Sequence, residues 1–425
     1  MKMHFIGIGG IGTSALAQYY LKKGHQVSGS DLVASETSDI LEKLGAKIII
    51  GLHAGKNIPS SVERVIHSPA VQVNNPEIIE AKKRGLTIES YPEALGLLTR
   101  EYFTIAVSGT HGKSTTTALI ALILIKAGLD PTVIIGTTLR EFGDSNCRVG
   151  EGKYLVIEAD EWNASFLHYW PKIIVLTNIE EEHLDYYEDL EHILNTYKEY
   201  VGHLPKEGKL IVNGDDENIA KLDLQTEQYS LRQKEAAELK RILQVPGEHN
   251  VYNALAALAA ARAVTIPDEV SFEAVEEYQG AWRRFEIIEK ERFTIISDYA
   301  HHPTEIAATL KATREKFPDK KILCIFQPHQ YQRTRYLFDA FVKVFSSRDV
   351  DEVIITDIYD VAGREKRDSS QKVSAQKLVA AIKKPWVRYI PHNQLKDLHV
   401  PDSSVLIVMG AGDIYKLVYE FSTGR

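Results

Sequence analysis

The chain has 425 residues, 44% of them hydrophobic and 25% charged, with a formal net charge of −8. That length allows two to four domains of roughly 100–200 residues each, and the acidic balance argues against a protein that grips nucleic acid or an anionic membrane by bulk charge. Two cysteines, Cys147 and Cys324, are too few for a disulfide framework and have no metal-binding spacing, which points to a reducing compartment.

The N-terminal segment MKMHFIGIGG runs into a strand-like stretch without the basic and apolar regions of a secretion leader. The longest apolar run, Ala118–Ile125, is far shorter than the roughly 18 residues a membrane span needs. These features predict a cytoplasmic protein with small-molecule partners, no nucleic acid and no membrane, acting as a monomer or homodimer.

In chain order, HFIGIG reads as a strand, about Thr13 to Gly24 as a helix, HQVSGSD as a second strand, the stretch ending near Gly45 as a second helix, and AKIIIG as a third strand. Such alternation is the pattern of parallel βαβ units. The rhythm restarts at FTIAVSGTHGKS and again at FTIISDYAHHP, so three α/β domains are expected, divided near Arg100 and near Gly280–Arg284: residues 1–100, 101–282 and 283–425.

The first turn, GIGGIG, places Gly7, Gly9 and Gly12 in the G-x-G-x-x-G spacing between a strand and a helix, with Asp31 ending the next strand. Glycines there permit a tight turn and close backbone approach, and the helix N-terminus then faces a diphosphate. The loop alone leaves open whether the ligand is NAD or a sugar nucleotide.

The second turn, GTHGKS (Gly109, Thr110, His111, Gly112, Lys113, Ser114), has the lysine and hydroxyl of a phosphate-binding loop, although Val107 stands where the longer standard loop has glycine. Backbone N–H groups and the helix dipole would hold phosphate oxygens, Lys113 would meet the terminal phosphates and Ser114 would ligate Mg²⁺. The next strand, KYLVIEADE, ends in Glu158, Asp160 and Glu161, and the one after it, IIVLTNIEEEHLD, ends in His183 and Asp185. Sheet C-terminal edges bring such groups to one crevice, and hard oxygen donors suit Mg²⁺.

Taken in order, GTHGKS, EADEWNASFL, TNIEEEHLDYY, GEHNVYNALAA, RRFE, DYAHHPTE and FQPHQYQRT resemble the Mur ligases across essentially the whole chain. The resemblance implies a three-domain α/β enzyme with a Rossmann-like UDP-sugar domain, a central P-loop ATPase-type domain, and a C-terminal Rossmann-like domain that carries the incoming amino acid. It implies an ATP-dependent ligase that joins L-alanine to the lactyl carboxylate of UDP-N-acetylmuramate through an acyl phosphate, with two Mg²⁺ sites that Mn²⁺ can also fill. A recycling ligase adding a preformed peptide to the same sugar is the alternative within the family. A nicotinamide oxidoreductase and a non-catalytic UDP-sugar sensor are the alternatives outside it.

By the same resemblance, Gly9, Gly10, Ile11, Gly12, Asp31, Ser68 and Asn75 would hold the UDP sugar. Gly109 through Thr115, Asn250, Asn253, Arg284 and Asp298 would hold ATP, with His249 beside them. Ser114, Glu161 and His183 would bind metal, and His302, His329 and Arg333 would bind the amino acid, with His301 alongside. Lys113, Glu161, His183 and Arg333 would carry the chemistry, and Lys198 stands where sister ligases hold a carbamylated lysine. The chain departs from the family's usual text at Gln330, where Arg is usual, and at Trp162 and Asn163, where a small hydroxyl and an acid are usual.

Overall fold

A computed structural model describes residues 1–184, 186–360 and 373–422; Asp185, noted above beside His183, lies outside the described residues. Three sheets are formed, one in each third of the chain, as the recurring strand–turn–helix rhythm predicts.

The first sheet runs in the order β3-β2-β1-β4-β5 and is parallel throughout. Its strands are β1 (Lys2–Ile6), β2 (Gln26–Asp31), β3 (Lys47–Ile50), β4 (Arg64–His67) and β5 (Thr87–Ser90). Helices α1 (Ile11–Lys22), α2 (Glu36–Lys43) and α3 (Pro76–Lys83) connect β1 to β2, β2 to β3 and β4 to β5, and α4 (Tyr91–Glu101) follows β5. Chain direction switches at β1, so the turn after β1 sits where open α/β sheets bind ligands. The division expected at residue 100 falls in the last turn of α4.

The middle sheet runs β12-β11-β10-β6-β9-β7-β8, and β8 alone is antiparallel among its described strands. These strands are β6 (Phe103–Ser108), β7 (Thr132–Leu139), β8 (Ser145–Arg148), β9 (Tyr154–Glu158), β10 (Ile173–Leu176), β11 (Lys209–Asn213) and β12 (Glu227–Tyr229). Helices α5 (Lys113–Lys126) and α6 (Leu190–Val201) follow β6 and β10. The second switch point lies at β6, between β10 and β9. Strands buried on both faces read as continuous apolar runs, and FTIAVS and IIVL fit that description.

The last sheet runs β13-β14-β18-β15-β16-β17, with β13 antiparallel. Its strands are β13 (Glu286–Glu289), β14 (Thr294–Asp298), β15 (Ile322–Phe326), β16 (Glu352–Ile355), β17 (Val387–Tyr389) and β18 (Val405–Met409). The chain forms two compact units: Met1–Ile242 with Tyr252–Glu277, and Leu243–Val251 with Tyr278–Arg425. The first two sheets thus share one unit, and one apolar core runs through both, from Phe5, Leu16 and Tyr19 to Leu155, Phe166 and Tyr200. His249 and Asn250, read from sequence as part of the middle domain, group with the C-terminal unit, whereas Asn253 on the same helix groups with the first. No helix among the described residues is long and apolar enough to cross a membrane.

Candidate active site

The turn after β6 is shaped by what surrounds it. Gly109 has φ +127°, and a Cβ there would lie 2.2 Å from Thr177 Oγ1; Gly112 has φ +80°, and its Cβ would lie 2.3 Å from Asn253 Oδ1. Both positions therefore demand glycine on conformational and steric grounds. Residues just beyond β10 pin the loop: the N–H of His111 donates to Asn178 Oδ1 at 2.8 Å, the N–H of Thr110 donates to the Asn178 carbonyl at 3.0 Å, and the Thr177 hydroxyl donates to the His111 carbonyl at 2.6 Å. The side chains of Ser35, Asn75, Ser90 and Asp189 cap α2, α3, α4 and α6. No side chain caps α5, which starts at Lys113 with Ser114 and Thr115 buried in its first turn. Uncapped first-turn N–H groups carry the positive end of the helix dipole.

Around Lys113 the end of β9 gathers acid. The Lys113 ammonium donates to Glu161 Oε2 at 2.9 Å and to the Gly109 carbonyl at 2.6 Å. One ligand atom each from Asp160, Glu161 and His183 lies within 4.8 Å of the others. Ser114 donates its hydroxyl to Glu158 Oε1 at 3.1 Å, and the other oxygen of Glu158 accepts the Gly136 N–H at 2.9 Å. Glu158 is the last residue of β9, level with the loop, while Glu161 lies past the strand end. Their place at the end of a strand marks Glu158 and Asp160 in the sequence, with Glu161, as hard oxygen donors for a cation.

Burial drives the Glu161 carboxyl above its usual range, although the charge of Lys113 opposes this. Burial alone would depress Lys113, but Glu161 and Asp160 outweigh it and hold the ammonium above its ordinary range. Asp160 and Glu161 thus offer hard carboxylate oxygens of the kind that suits a divalent cation, with the His183 imidazole as a nitrogen donor beside them. His183, Asn163 and Ala164 all have left-handed backbone, with φ of +55°, +54° and +52°. Such conformations cost about 1 kcal/mol or more each and cluster at functional sites. The Tyr187 hydroxyl donates to the Glu161 carbonyl at 2.6 Å and fixes this segment. Lys198 is exposed on α6.

The first turn is built differently. Gly7 has φ +74°, and the N–H groups of Gly7 and Ile8 donate to the Ser30 carbonyl. Asp31 accepts the Gly9 N–H at 2.8 Å, Ser68 packs beside Gly7, and the Tyr91 ring lies over Gly12, where a Cβ would come within 2.8 Å of it. Gly10 leads into α1 with no side-chain cap, and Ile11 starts the helix exposed. Asn75 serves as the cap of α3. Beneath the turn, Glu77 is fully buried and accepts hydrogen bonds from Asn57 and from Ser30, with the rings of His4 and His53 each 2.8 Å away.

In the C-terminal unit, Asp298 accepts the N–H groups of Phe285 and Ala300, and burial raises its carboxyl to about 6. Of the adjacent arginines, Arg283 is buried among Trp282, Tyr299 and Tyr415 and donates to the carbonyls of Gly410 and Gly412, while Arg284 is half-buried over the Tyr299 ring. Arg333 Nη1 lies 3.0 Å from His329 Nδ1, and the His329 ring stacks on Tyr359 and meets His301 edge-on. Arg333, His329 and His301 are therefore brought together; His302 caps the helix Pro303–Lys316. Gln330 has φ +70° just before the helix Tyr331–Tyr336. Asn250 donates to the Pro246 carbonyl, and Asn253 accepts from Thr116 on α5.

Comparison with known proteins finds three family profiles along the chain: "Mur ligase family, catalytic domain" over residues 2–103, "Mur ligase middle domain" over 107–242 and "Mur ligase, glutamate ligase domain" over 283–412. The UDP-N-acetylmuramate–L-alanine ligase of Aquifex aeolicus is 40% identical, over 99% of this chain and 97% of its own; that of Clostridium acetobutylicum is 39% identical, over 98% and 96%. Among solved structures, the UDP-N-acetylmuramate-alanine ligase of Thermotoga maritima superposes with a TM-score of 0.83 at 29% identity, covering all of both chains. A murein peptide ligase from Psychrobacter arcticus superposes at 0.75 with 23% identity, over 100% of this chain and 98% of that one, a likeness of fold.

Proposed function

The chain belongs to the Mur ligase family, and from that premise we propose that it is the ATP-dependent ligase that joins L-alanine to the lactyl carboxylate of UDP-N-acetylmuramate in peptidoglycan precursor synthesis. The observation that carries this reading is the Lys113–Glu161 pair at an uncapped helix start, with Asp160 and His183 beside it, in a chain 40% identical to an alanine-adding ligase along nearly its whole length. Residues 1–100 take the UDP sugar, 101–282 take ATP, and 283–425 carry the amino acid. The cytoplasm is the compartment that fits two buried free cysteines.

A carboxylate does not acylate an amine directly, because its oxygen is a poor leaving group. Its oxygen therefore attacks the γ-phosphorus of ATP, the bond to the β-phosphate oxygen breaks and ADP leaves. The amine nitrogen of alanine then attacks the acyl carbon of the acyl phosphate, phosphate departs with the C–O bond, and the nitrogen loses a proton. Negative charge builds on phosphoryl oxygens and then on a tetrahedral oxyanion, and the Lys113 ammonium with the first-turn N–H groups of α5 stabilises both. Asp160, Glu161 and His183, with Ser114 and Glu158, would hold magnesium, which when bound neutralises charge on the triphosphate. Asp298 and Arg284 are the candidates for ribose and phosphate, and Arg333 with His329 for the alanine carboxylate.

The test is phosphate release from ATP and UDP-N-acetylmuramate with a panel of amino acids and peptides. Release with L-alanine supports the reading; release with a tripeptide and none with alanine gives the recycling reaction instead.

A further inference from the structure

We propose that Asn146 is a positioning residue, which sets the glycine turn that receives the UDP sugar at a fixed distance from the phosphate loop that receives ATP. This rests on the functional reading above. The β7–β8 hairpin forms the free edge of the middle sheet, and an uncovered edge would offer its N–H and C=O groups to any passing strand. Here α1 of the first domain packs against the hairpin, and a buried polar cluster sits within the apolar core that the two share.

Asn146 and Gln18 are each only 2% exposed. Gln18 Nε2 donates to Asn146 Oδ1 at 2.7 Å, and Asn146 Nδ2 donates to the Ile11 carbonyl at 2.6 Å and to Ser14 Oγ at 3.0 Å. Ser145 Oγ lies 2.8 Å from Gln18 Oε1. Every polar atom of the Asn146 side chain is matched, and a fully satisfied buried network of this kind fixes one register where an apolar contact would tolerate sliding.

Both loops are reached from one stretch of the hairpin, the irregular stretch between the Ile134–Cys147 and Leu139–Ser145 pairs. Ile11, whose carbonyl Asn146 holds, is the first residue of α1 and lies inside GIGGIG. Along the same strand pair, the Gly136 N–H holds Glu158, which accepts the Ser114 hydroxyl of the phosphate loop. A Cβ at Gly136 would lie 2.8 Å from Glu158 Oε2 and would displace that carboxylate. Hydrogen bonds from Asn146 to the sugar-nucleotide turn and from Gly136 through Glu158 to Ser114 are therefore joined by the backbone of one short hairpin. Transfer between two bound substrates depends on such spacing, because a misplacement of about 1 Å can lower a rate by about 100-fold.

Asn146→Leu keeps the volume and removes the matched bonds; Gln18→Met does the same from the other side and leaves the bonds of Asn146 to Ile11 and Ser14 in place. Steady-state phosphate release is measured for each in the full-length enzyme with UDP-N-acetylmuramate, ATP and L-alanine, together with binding of a non-hydrolysable ATP analogue in the absence of sugar. The expected result is that Asn146→Leu lowers kcat/KM for the UDP sugar by roughly 10- to 100-fold while affinity for the ATP analogue stays at the wild-type value. Gln18→Met shows a smaller loss of the same kind. Wild-type kinetics in Asn146→Leu, or equal losses of sugar turnover and analogue binding, overturn the proposal. If Asn146→Leu does not fold, the Gln18→Met kinetics decide by the same split. Failure of the functional reading is separable, because it would appear as a wild-type enzyme that releases no phosphate with these substrates.

Discussion

The turns at Gly7–Gly12 and Gly109–Ser114 share a construction: a central strand, a left-handed glycine, and a helix whose start no side chain caps. Each also has a buried carboxylate close by, and the two carboxylates differ. Glu77 receives Asn57, Ser30 and two histidine rings, and although burial opposes it, these bonds hold its carboxyl down at about 2. Glu161 has Lys113 close and His183 at 3.8 Å, and burial keeps its carboxyl raised. The first acid is held among four partners and supports the turn through Ser30; both oxygens of the second accept from a single ammonium, with a second carboxylate and an imidazole within reach. One turn is a passive cradle, and the other is a charged site.

That contrast can be broken most directly at Lys113. Lys113→Ala is expected to lower phosphate release by about 1,000-fold or more while calorimetry finds UDP-sugar binding intact; substantial residual turnover would place the chemistry elsewhere. Next in size is Glu77. Its folded-state carboxyl is depressed from the ordinary 4.5 to about 2, which corresponds to about 3 kcal/mol. A depressed carboxyl contributes stability that is present above pH 4.5 and lost as pH falls toward 2. Glu77→Gln should therefore unfold more easily in urea at neutral pH, and its gap from wild type should close between these values; a gap that does not change with pH would contradict the assignment. Gly12→Ala forces a methyl against Tyr91, an overpacking that costs about 1–3 kcal/mol, and is expected to raise KM for the UDP sugar with ATP affinity unchanged. The smallest effect is expected at Lys198: it is exposed on α6, so Lys198→Ala should turn over like wild type and intact-mass spectrometry should find no carbamate.

Much of this arrangement is legible in the chain. The alternation of apolar runs and amphipathic stretches gives three parallel-rich sheets because strand and helix periods are local properties. The glycines at 7, 109 and 112 announce their turns because only glycine takes left-handed backbone cheaply. Thr177 and Asn178 escaped notice, although they stand in the same TNIEEEH segment as His183, because their work is to hold another loop's backbone. Asn253 is far from the glycine loop in sequence, and only the fold lays its side chain against Gly112.

By itself the sequence determined the order of elements, the two glycine turns and the identity of the acids and lysine that surround them, since each of these depends on residues near in the chain. Only the tertiary structure decided that Ser114 meets Glu158, that Asn146 reaches back more than a hundred residues to Ile11, and which buried carboxylate is held among four partners and which by one ammonium. Those outcomes depend on strand order and on the number of hydrogen-bond donors that packing brings to one oxygen, and neither is written in any local stretch of sequence.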